Sequence, residues 1–249
     1  MPEILLKKEG PIARLTLNRP DKLNALTATM MQEWRKILEN LSTEEECRVV
    51  IVTGAGRAWS AGVDLESFKT TKVAPGFQFW EDGMAVIHQL ETMPQVTICA
   101  LNGFCYTGAM EIMLAFDLVI ASDQAKIADT HTKWGILPKW GMTQRLQNLV
   151  GARKAKELSF TAQAVSGQEA VNIGLINRVV PAEDLTASVD KTAAQIIENS
   201  AQTVAVVKDL YHYGNRNGLE AGLKYEEAYE ANLTDKAHEL ANYRSKLKT

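Results

Sequence analysis

Glu111 is the feature that most invites a chemical reading, because it is the one carboxylate in the apolar helix that GAMEIMLAF at 108–116 spells out. An acid on an apolar helix face is paired, titrated or used. Just upstream, residues 96–101 (VTICAL) read as a buried strand that breaks at Asn102-Gly103 and passes a second glycine at Gly108. A strand, a glycine turn and a helix start gather backbone N–H groups at the positive end of the helix. Such an N-terminus can hold a developing negative charge, and an acid one turn in can move protons beside it.

Alternating or continuous apolar runs mark the elements that must position this stretch. IARLTL at 12–17 alternates as a half-buried strand does, and RVVIVT at 48–53 is a continuous β-branched run expected to be buried on both faces. Thr27 is placed to cap an amphipathic helix over 30–41, and residues 80–92 return to helical spacing. GAGRAWSAGVDL at 54–65 reads as a small-residue loop, and 66–79, which contains Pro75-Gly76, as a surface segment. A strand is expected at 118–121, then a turn-rich segment, DTHTKWGILPKWGMTQRL, then a helix near 153–160. Ser166 and Glu169 have capping-box spacing for a short helix that Gly174 can end, and from Glu183 onward the pattern is helical. By periodicity alone a doubly wound parallel sheet fits this layout as well as any other α/β arrangement.

Composition narrows the partners. The 249 residues are 46% hydrophobic and 23% charged, enough for one large domain or a domain with an appendage. A net charge of −3 without a basic stripe argues against nucleic acid and anionic membranes. No apolar run approaches the roughly 18 residues that span a bilayer, and MPEILLKKEG gains charge too soon for a signal peptide. Cys47, Cys99 and Cys105 lack metal-ligand spacing and read as buried free thiols in a reducing compartment. These features suggest a cytoplasmic protein.

Five stretches, taken together and in order, resemble the crotonase superfamily, the enoyl-CoA hydratase/isomerase group. They are LNRPDKLNAL at 17–26, AWSAGVDL at 58–65, ALNGFCYTGAMEIMLAFD at 100–117, GILPKWGMTQRLQNLVG at 135–151 and SGQEAVNIGLINRVV at 166–180. The resemblance implies an α/β crotonase-like fold of repeated ββα turns, with two near-perpendicular sheets. It divides the chain into a core at 1–180 and a C-terminal helical region at 181–249 that builds homotrimers, which can pair into hexamers.

The resemblance also assigns roles. The backbone N–H groups of Val63 and Gly108 form an oxyanion hole for a thioester carbonyl, with small neighbours at Ala61, Gly62, Thr107 and Ala109. Glu111 matches one of the two glutamates that hydratases of the family use. The second is replaced: counting from Gly135 and Pro138, its position holds His131, whose ordinary pKa near 6.5 lets it give or accept a proton at neutral pH. Asp129 and Thr130 are placed to orient the imidazole, and a loop histidine merely held by Asp129 or a carbonyl is the plainer alternative.

Lys139 and Trp140 stand where typical hydratases place small residues, so Trp140, with Trp134 nearby, is expected to reshape the acyl pocket or simply to pack. Contacts to the CoA nucleotide fall to Lys22, Asn24, Ala25, Leu26, Ala58, Ala61 and Asp64, mostly through backbone atoms. No metal and no separate cofactor are implied, since CoA enters as part of the substrate. The expected activity is hydration of a 2-enoyl-CoA through an enolate. The alternatives are a hydrolase built from the same parts, acting on a thioester or a β-diketone, and a non-catalytic acyl-CoA binder.

Overall fold

The computed structural model describes residues 2–65, 77–237 and 239. In it the β-branched run becomes β3 (Val49–Gly54), an inner strand of a six-stranded sheet. Its neighbours are β1 (Ile4–Glu9), β2 (Ile12–Leu17), β5 (Val96–Leu101), β7 (Leu118–Ser122) and β10 (Arg178–Val180), in the order β1-β2-β3-β5-β7-β10. Only the β1–β2 pair is antiparallel. A second sheet runs β4-β6-β8-β9, from β4 (Ala58–Ser60), β6 (Phe104–Tyr106), β8 (Lys126–Ala128) and β9 (Val165–Ser166). This is the two-sheet α/β fold that the resemblance implies.

The two sheets are filled alternately as the chain advances. β3, β5 and β7 lie in the large sheet, and each is followed after a short turn by β4, β6 or β8 in the small one. A helix follows the second and third of these pairs directly: α3 (Gly108–Met113) after β6 and α4 (His131–Trp134) after β8. After the first pair the chain runs through 66–76, outside the described residues, and on to α2 (Phe77–Thr92). The small strands, three residues or fewer, carry too little pattern for a period to be read, which is why β4, β6, β8 and β9 are absent from the sequence reading. β1 escapes for another reason: as an edge strand it buries little beyond Ile4.

The continuous apolar runs are continuous because the large sheet is covered on both faces. Val50, Val52, Cys99, Leu101, Val119 and Ala121 face the main core, which α1 (Ala28–Ser42) closes with Met30, Met31, Trp34, Leu38 and Leu41. Thr27 caps α1 by accepting from the Met30 N–H at 3.0 Å. The alternate residues, Val49, Ile51, Val96, Ile98, Ala100 and Ile120, meet Leu185, Val189 and Ala193 of α8 (Leu185–Ile197). Those three lie one helical turn apart along a single stripe, so the first long helix after residue 181 shares a core with the sheet.

Three further helices complete the middle of the chain: α5 (Met142–Val150), α6 (Ala152–Thr161) and α7 (Gly167–Asn172). α5 lies in the segment read as turns, where Gly135, Pro138 and Gly141 mask it and no side chain caps its start. α7 opens with the expected Ser166–Glu169 capping box, and Gly174 follows it at φ +75°. All three cysteines are buried free thiols. Among the described residues no helix is long and apolar enough to cross a membrane.

α9 (Ala201–Asn217) and α10 (Leu219–Ala228) form a hairpin whose attachment to the core includes one buried lysine. Lys208 Nζ donates to Leu90 O at 2.8 Å, Gln95 O at 2.9 Å and Asp117 Oδ2 at 2.7 Å, so all three ammonium hydrogens are used. The same Asp117 oxygen takes Thr97 N–H at 2.7 Å and Thr97 Oγ1 at 2.9 Å. Removing one partner of a buried pair costs about 3–5 kcal/mol. Asp117 keeps 26% side-chain exposure, so Lys208→Met is expected near the lower end, about 3 kcal/mol, with no change in denaturant m value. Urea unfolding measures this, and a loss under about 1 kcal/mol would mean that the ammonium is not an anchor.

Candidate active site

The residues singled out for chemistry leave the small sheet at one edge. β4, β6 and β8 are parallel, with Ser60 opposite Cys105, Cys105 opposite Ile127, and Tyr106 opposite Ala128. Their C-terminal ends therefore lie side by side, and within three residues each gives rise to a part of the site. Val63 follows β4, Thr107 and Gly108 follow β6, and Asp129 and His131 follow β8.

The first two turns touch. Gly62 adopts φ +92°, and a Cβ there would stand 2.7 Å from Tyr106 O and 3.5 Å from Gly108 N. A Cβ on Gly108 would fall 3.1 Å from Val63 Cγ2 and 3.1 Å from the Trp140 ring. Glycine at both places lets the two backbones approach each other. Leu26 straddles Val63, donating its N–H to Gly62 O at 2.8 Å and accepting from Asp64 N–H at 2.9 Å. Among the described residues neither the Val63 nor the Gly108 N–H has an acceptor. At Gly108 this follows from its place at the start of α3, where no earlier helical carbonyl exists. Thr107 holds the turn at φ +55°, ψ −118°, a strained region for a residue with a Cβ. Its N–H donates to Ala128 O at 3.0 Å, and its hydroxyl bonds that of Thr130.

Glu111 and His131 meet inside. They are 1% and 4% exposed, and His131 Nε2 lies 3.4 Å from Glu111 Oε2. The other carboxylate oxygen, Oε1, accepts from the backbone N–H groups of Trp140 at 2.8 Å and Met142 at 3.1 Å. Those two donors fix the carboxylate so that its second oxygen faces the imidazole. On the far side of the ring His131 Nδ1 lies 2.6 Å from Asp129 Oδ1, which also takes the His131 backbone N–H at 3.2 Å. Asp129 Oδ2 accepts from Ser159 Oγ, on α6, at 2.6 Å. A carboxylate can only accept, so Nδ1 carries a proton and Nε2 is the atom left to Glu111.

Burial disfavours charge on this imidazole, but the bond to Asp129 and the nearness of Glu111 outweigh it. The His131 pKa is pushed up to about 9 from its ordinary 6.5. Burial also works against the Asp129 carboxylate, and the bonds from His131 and Ser159 overcome that and lower its pKa. At neutral pH the ring is thus an imidazolium, held between Asp129 and Glu111.

Trp140 is fully buried and Trp134 is not. The Trp140 ring packs against Phe79 and Trp80 and donates Nε1–H to Trp80 O at 3.1 Å. Trp134 is 62% exposed, with the Lys133 ammonium 5.8 Å from its ring centre. As the last residue of the four-residue α4, Trp134 turns to solvent while His131 at the other end points in.

The CoA-contact residues are brought together, though several do other work. Asn24 is buried in the left-handed region at φ +53°, accepting from Arg19 N–H at 2.8 Å and donating to Ala55 O at 2.9 Å and Ala58 O at 2.8 Å. Leu26 and Ala58 are fully buried, so these three side chains serve the framework. Ala61 N–H is spent on Leu23 O at 2.9 Å, and Ala25 O accepts from Arg19 Nη1. Asp64 pairs with Arg19 at 2.9 Å, and Lys22 stands exposed on the short 3-10 turn Pro20–Lys22. Arg19, which also reaches Glu3 at 3.3 Å, ties the two loops together and had no sequence signal. Nor did Ser159, or the Trp140 and Met142 amides, since residue type says nothing about a backbone donor.

The folded pKa of His131 lies above its unfolded value, so its contribution to stability is complete below about pH 6.5 and is lost as pH rises through about 9. Thermal melts between pH 6 and 10 should show this decline. The decline should flatten in His131→Gln; an unchanged slope there would mean that other groups cause it.

The chain is similar to proteins already known. The family model described as enoyl-CoA hydratase/isomerase matches residues 7–248. The short-chain-enoyl-CoA hydratase of Clostridium acetobutylicum is 35% identical, over 90% of this chain and 86% of that protein. The crystal structure of an enoyl-CoA hydratase from Bacillus anthracis superposes with a TM-score of 0.87 at 32% identity, covering 90% of this chain and 88% of that one. A putative enoyl-CoA hydratase from Thermobifida fusca, in complex with acetoacetyl-CoA, gives a TM-score of 0.82 at 30% identity, covering 91% and 92%. This chain belongs to the enoyl-CoA hydratase/isomerase family.

Proposed function

We propose that the protein adds water across the double bond of a 2-enoyl-CoA thioester, with Glu111 as base and His131 as acid. The observation that supports this division is the buried contact between the two groups, 3.4 Å apart, beside two turns whose Val63 and Gly108 N–H groups have no acceptor among the described residues. The thioester oxygen accepts from those two N–H groups, which stabilise the negative charge that builds on it when a nucleophile reaches Cβ. Water attacks Cβ as Glu111 removes its proton. The resulting enolate collapses as the His131 imidazolium delivers a proton to Cα. Glu111 then holds a proton and His131 lacks one, and transfer across their contact restores both. The balance is one water added and no other species consumed. The acyl-CoA complex of the Thermobifida fusca relative supports a CoA thioester as the substrate.

Trp140 gives the reading a size limit. Its buried ring lies against Gly108 while its backbone amide holds Glu111 Oε1 at 2.8 Å, so in this reading the ring backs the acyl site. Substrates are accordingly short 2-enoyl chains. The same reading carries a cytoplasmic homotrimer or hexamer that needs no cofactor beyond the CoA of its substrate; light scattering of the purified protein decides its assembly.

Glu111→Gln should lower kcat on crotonyl-CoA by roughly 10²–10⁴-fold, and His131→Ala by about 10²-fold or more. Wild-type kcat/KM should fall as pH rises through about 9, where His131 loses its proton. Chromatography of the products checks the reaction itself: 3-hydroxyacyl-CoA supports hydration, whereas free CoA or a cleaved acid would replace it with hydrolysis. Trp140→Leu should raise the ratio of kcat/KM for a C8 over a C4 enoyl-CoA by about tenfold, and an unchanged ratio would remove Trp140 from the acyl wall.

A further inference from the structure

We propose that Asp129 and Ser159 are positioning residues for His131, forming a chain Ser159–Asp129–His131 that fixes the imidazole tautomer and aims Nε2 at Glu111. This rests on the reading of His131 as the acid.

The chain is built from two elements distant in sequence. Asp129, 2% exposed, spends Oδ1 on the ring and backbone of His131 and Oδ2 on Ser159, 30 residues ahead on α6. Ser159 grips from a second side as well, since its carbonyl accepts from Thr132 Oγ1 at 2.6 Å. Residue 159 thus clamps both the turn before α4 and α4 itself. A carboxylate on one imidazole nitrogen holds the tautomer and orientation in which the other nitrogen works, and it stabilises the imidazolium.

The charged groups facing the ring are Asp129 from its own turn and Glu111 from α3. α6 contributes the uncharged Ser159, and the turn after β6 reaches the neighbouring Thr130 through the uncharged Thr107. Both charged neighbours favour the protonated ring, but they differ in place. Glu111 shares the reactive side of the imidazole, while Asp129 occupies the other nitrogen and is free of any duty toward substrate.

The division makes the role separable from mere support. Asp129→Asn keeps the shape and an oxygen toward Nδ1 but removes the charge. If the His131 pKa then returned from about 9 to its ordinary 6.5, the protonated fraction at pH 8.5 would fall from about three quarters to about one hundredth. The expected result is a kcat loss on crotonyl-CoA of tenfold or more at pH 8.5 and much less at pH 6, with KM within about twofold. NMR titration of the His131 ring in the full-length protein, assigned against His131→Gln, should show a lower midpoint in Asp129→Asn. Ser159→Ala should show a smaller shift in the same direction. In the His131→Gln background, adding Asp129→Asn should change kcat by less than about twofold. An unmoved midpoint in both variants, or an equal loss in the His131→Gln background, overturns the proposal. Should Asp129→Asn fail to fold, the midpoint in Ser159→Ala decides. Wild-type protein that yields no 3-hydroxyacyl-CoA would sink the hydratase reading alone, because the titration still reports whether the chain sets the ring.

Discussion

Parallel pairing of β4, β6 and β8 is the constraint on which the site depends. Parallel strands that enter from one side must also leave from one side, so whatever follows them emerges at a common edge. Each small strand is entered from a strand of the large sheet and left into a turn, and the three turns bring in Val63, Gly108 with Glu111, and Asp129 with His131. No long-range side-chain bond is needed to bring them into one neighbourhood. What side chains add is the final aim: the Thr107–Thr130 hydroxyl pair and the Thr107 amide on Ala128 O hold the second turn against the third.

Two carboxylates and an imidazole at this depth would be costly if left to themselves, because burial penalises each charge. The arrangement offsets the cost in a fixed order. Asp129 receives the Ser159 hydroxyl, the His131 amide and the ring N–H; the ring sits between Asp129 and Glu111; and the last oxygen of Glu111 takes two backbone amides. Every contact that lowers the burial cost also fixes a rotamer. The imidazolium can therefore persist in an enclosed place well above its ordinary pKa.

The inner strands of the large sheet were legible because burial writes apolar runs into them. Val49–Gly54 and Val96–Leu101 could be read residue by residue, whereas the three-residue strands that organise the site are shorter than any period. Glu111 was visible as a lone charge in an apolar helix, and its burial agrees. His131 was found only by matching its position to the family motif, since nothing in ADTHTKWG shows that the ring turns inward while Trp134, three residues on, turns outward. Asn24 shows the other side of the same limit. The resemblance assigns it to CoA, mostly through backbone atoms, and its side-chain amide is taken up by three backbone groups of its own chain. Whether a polar side chain serves a ligand or the frame depends on long-range partners, and local sequence does not encode those.

Trp140 shows how one large side chain reshapes choices far from it in sequence. Glycine inside a helix costs about 1 kcal/mol relative to alanine, and Gly83 sits within α2 with no turn to make. A Cβ on Gly83 would lie 2.2 Å from the Trp140 ring, so the ring excludes anything larger. The helix accepts that cost because the tryptophan does two things at once. Its indole packs among Phe79, Trp80 and Gly108, and its backbone amide holds Glu111 Oε1 at 2.8 Å. An amide position is set by the packing of the residue that carries it. The packing of the indole and the donor that aims the Glu111 carboxylate therefore cannot vary independently, and a change in one is felt as a change in the other.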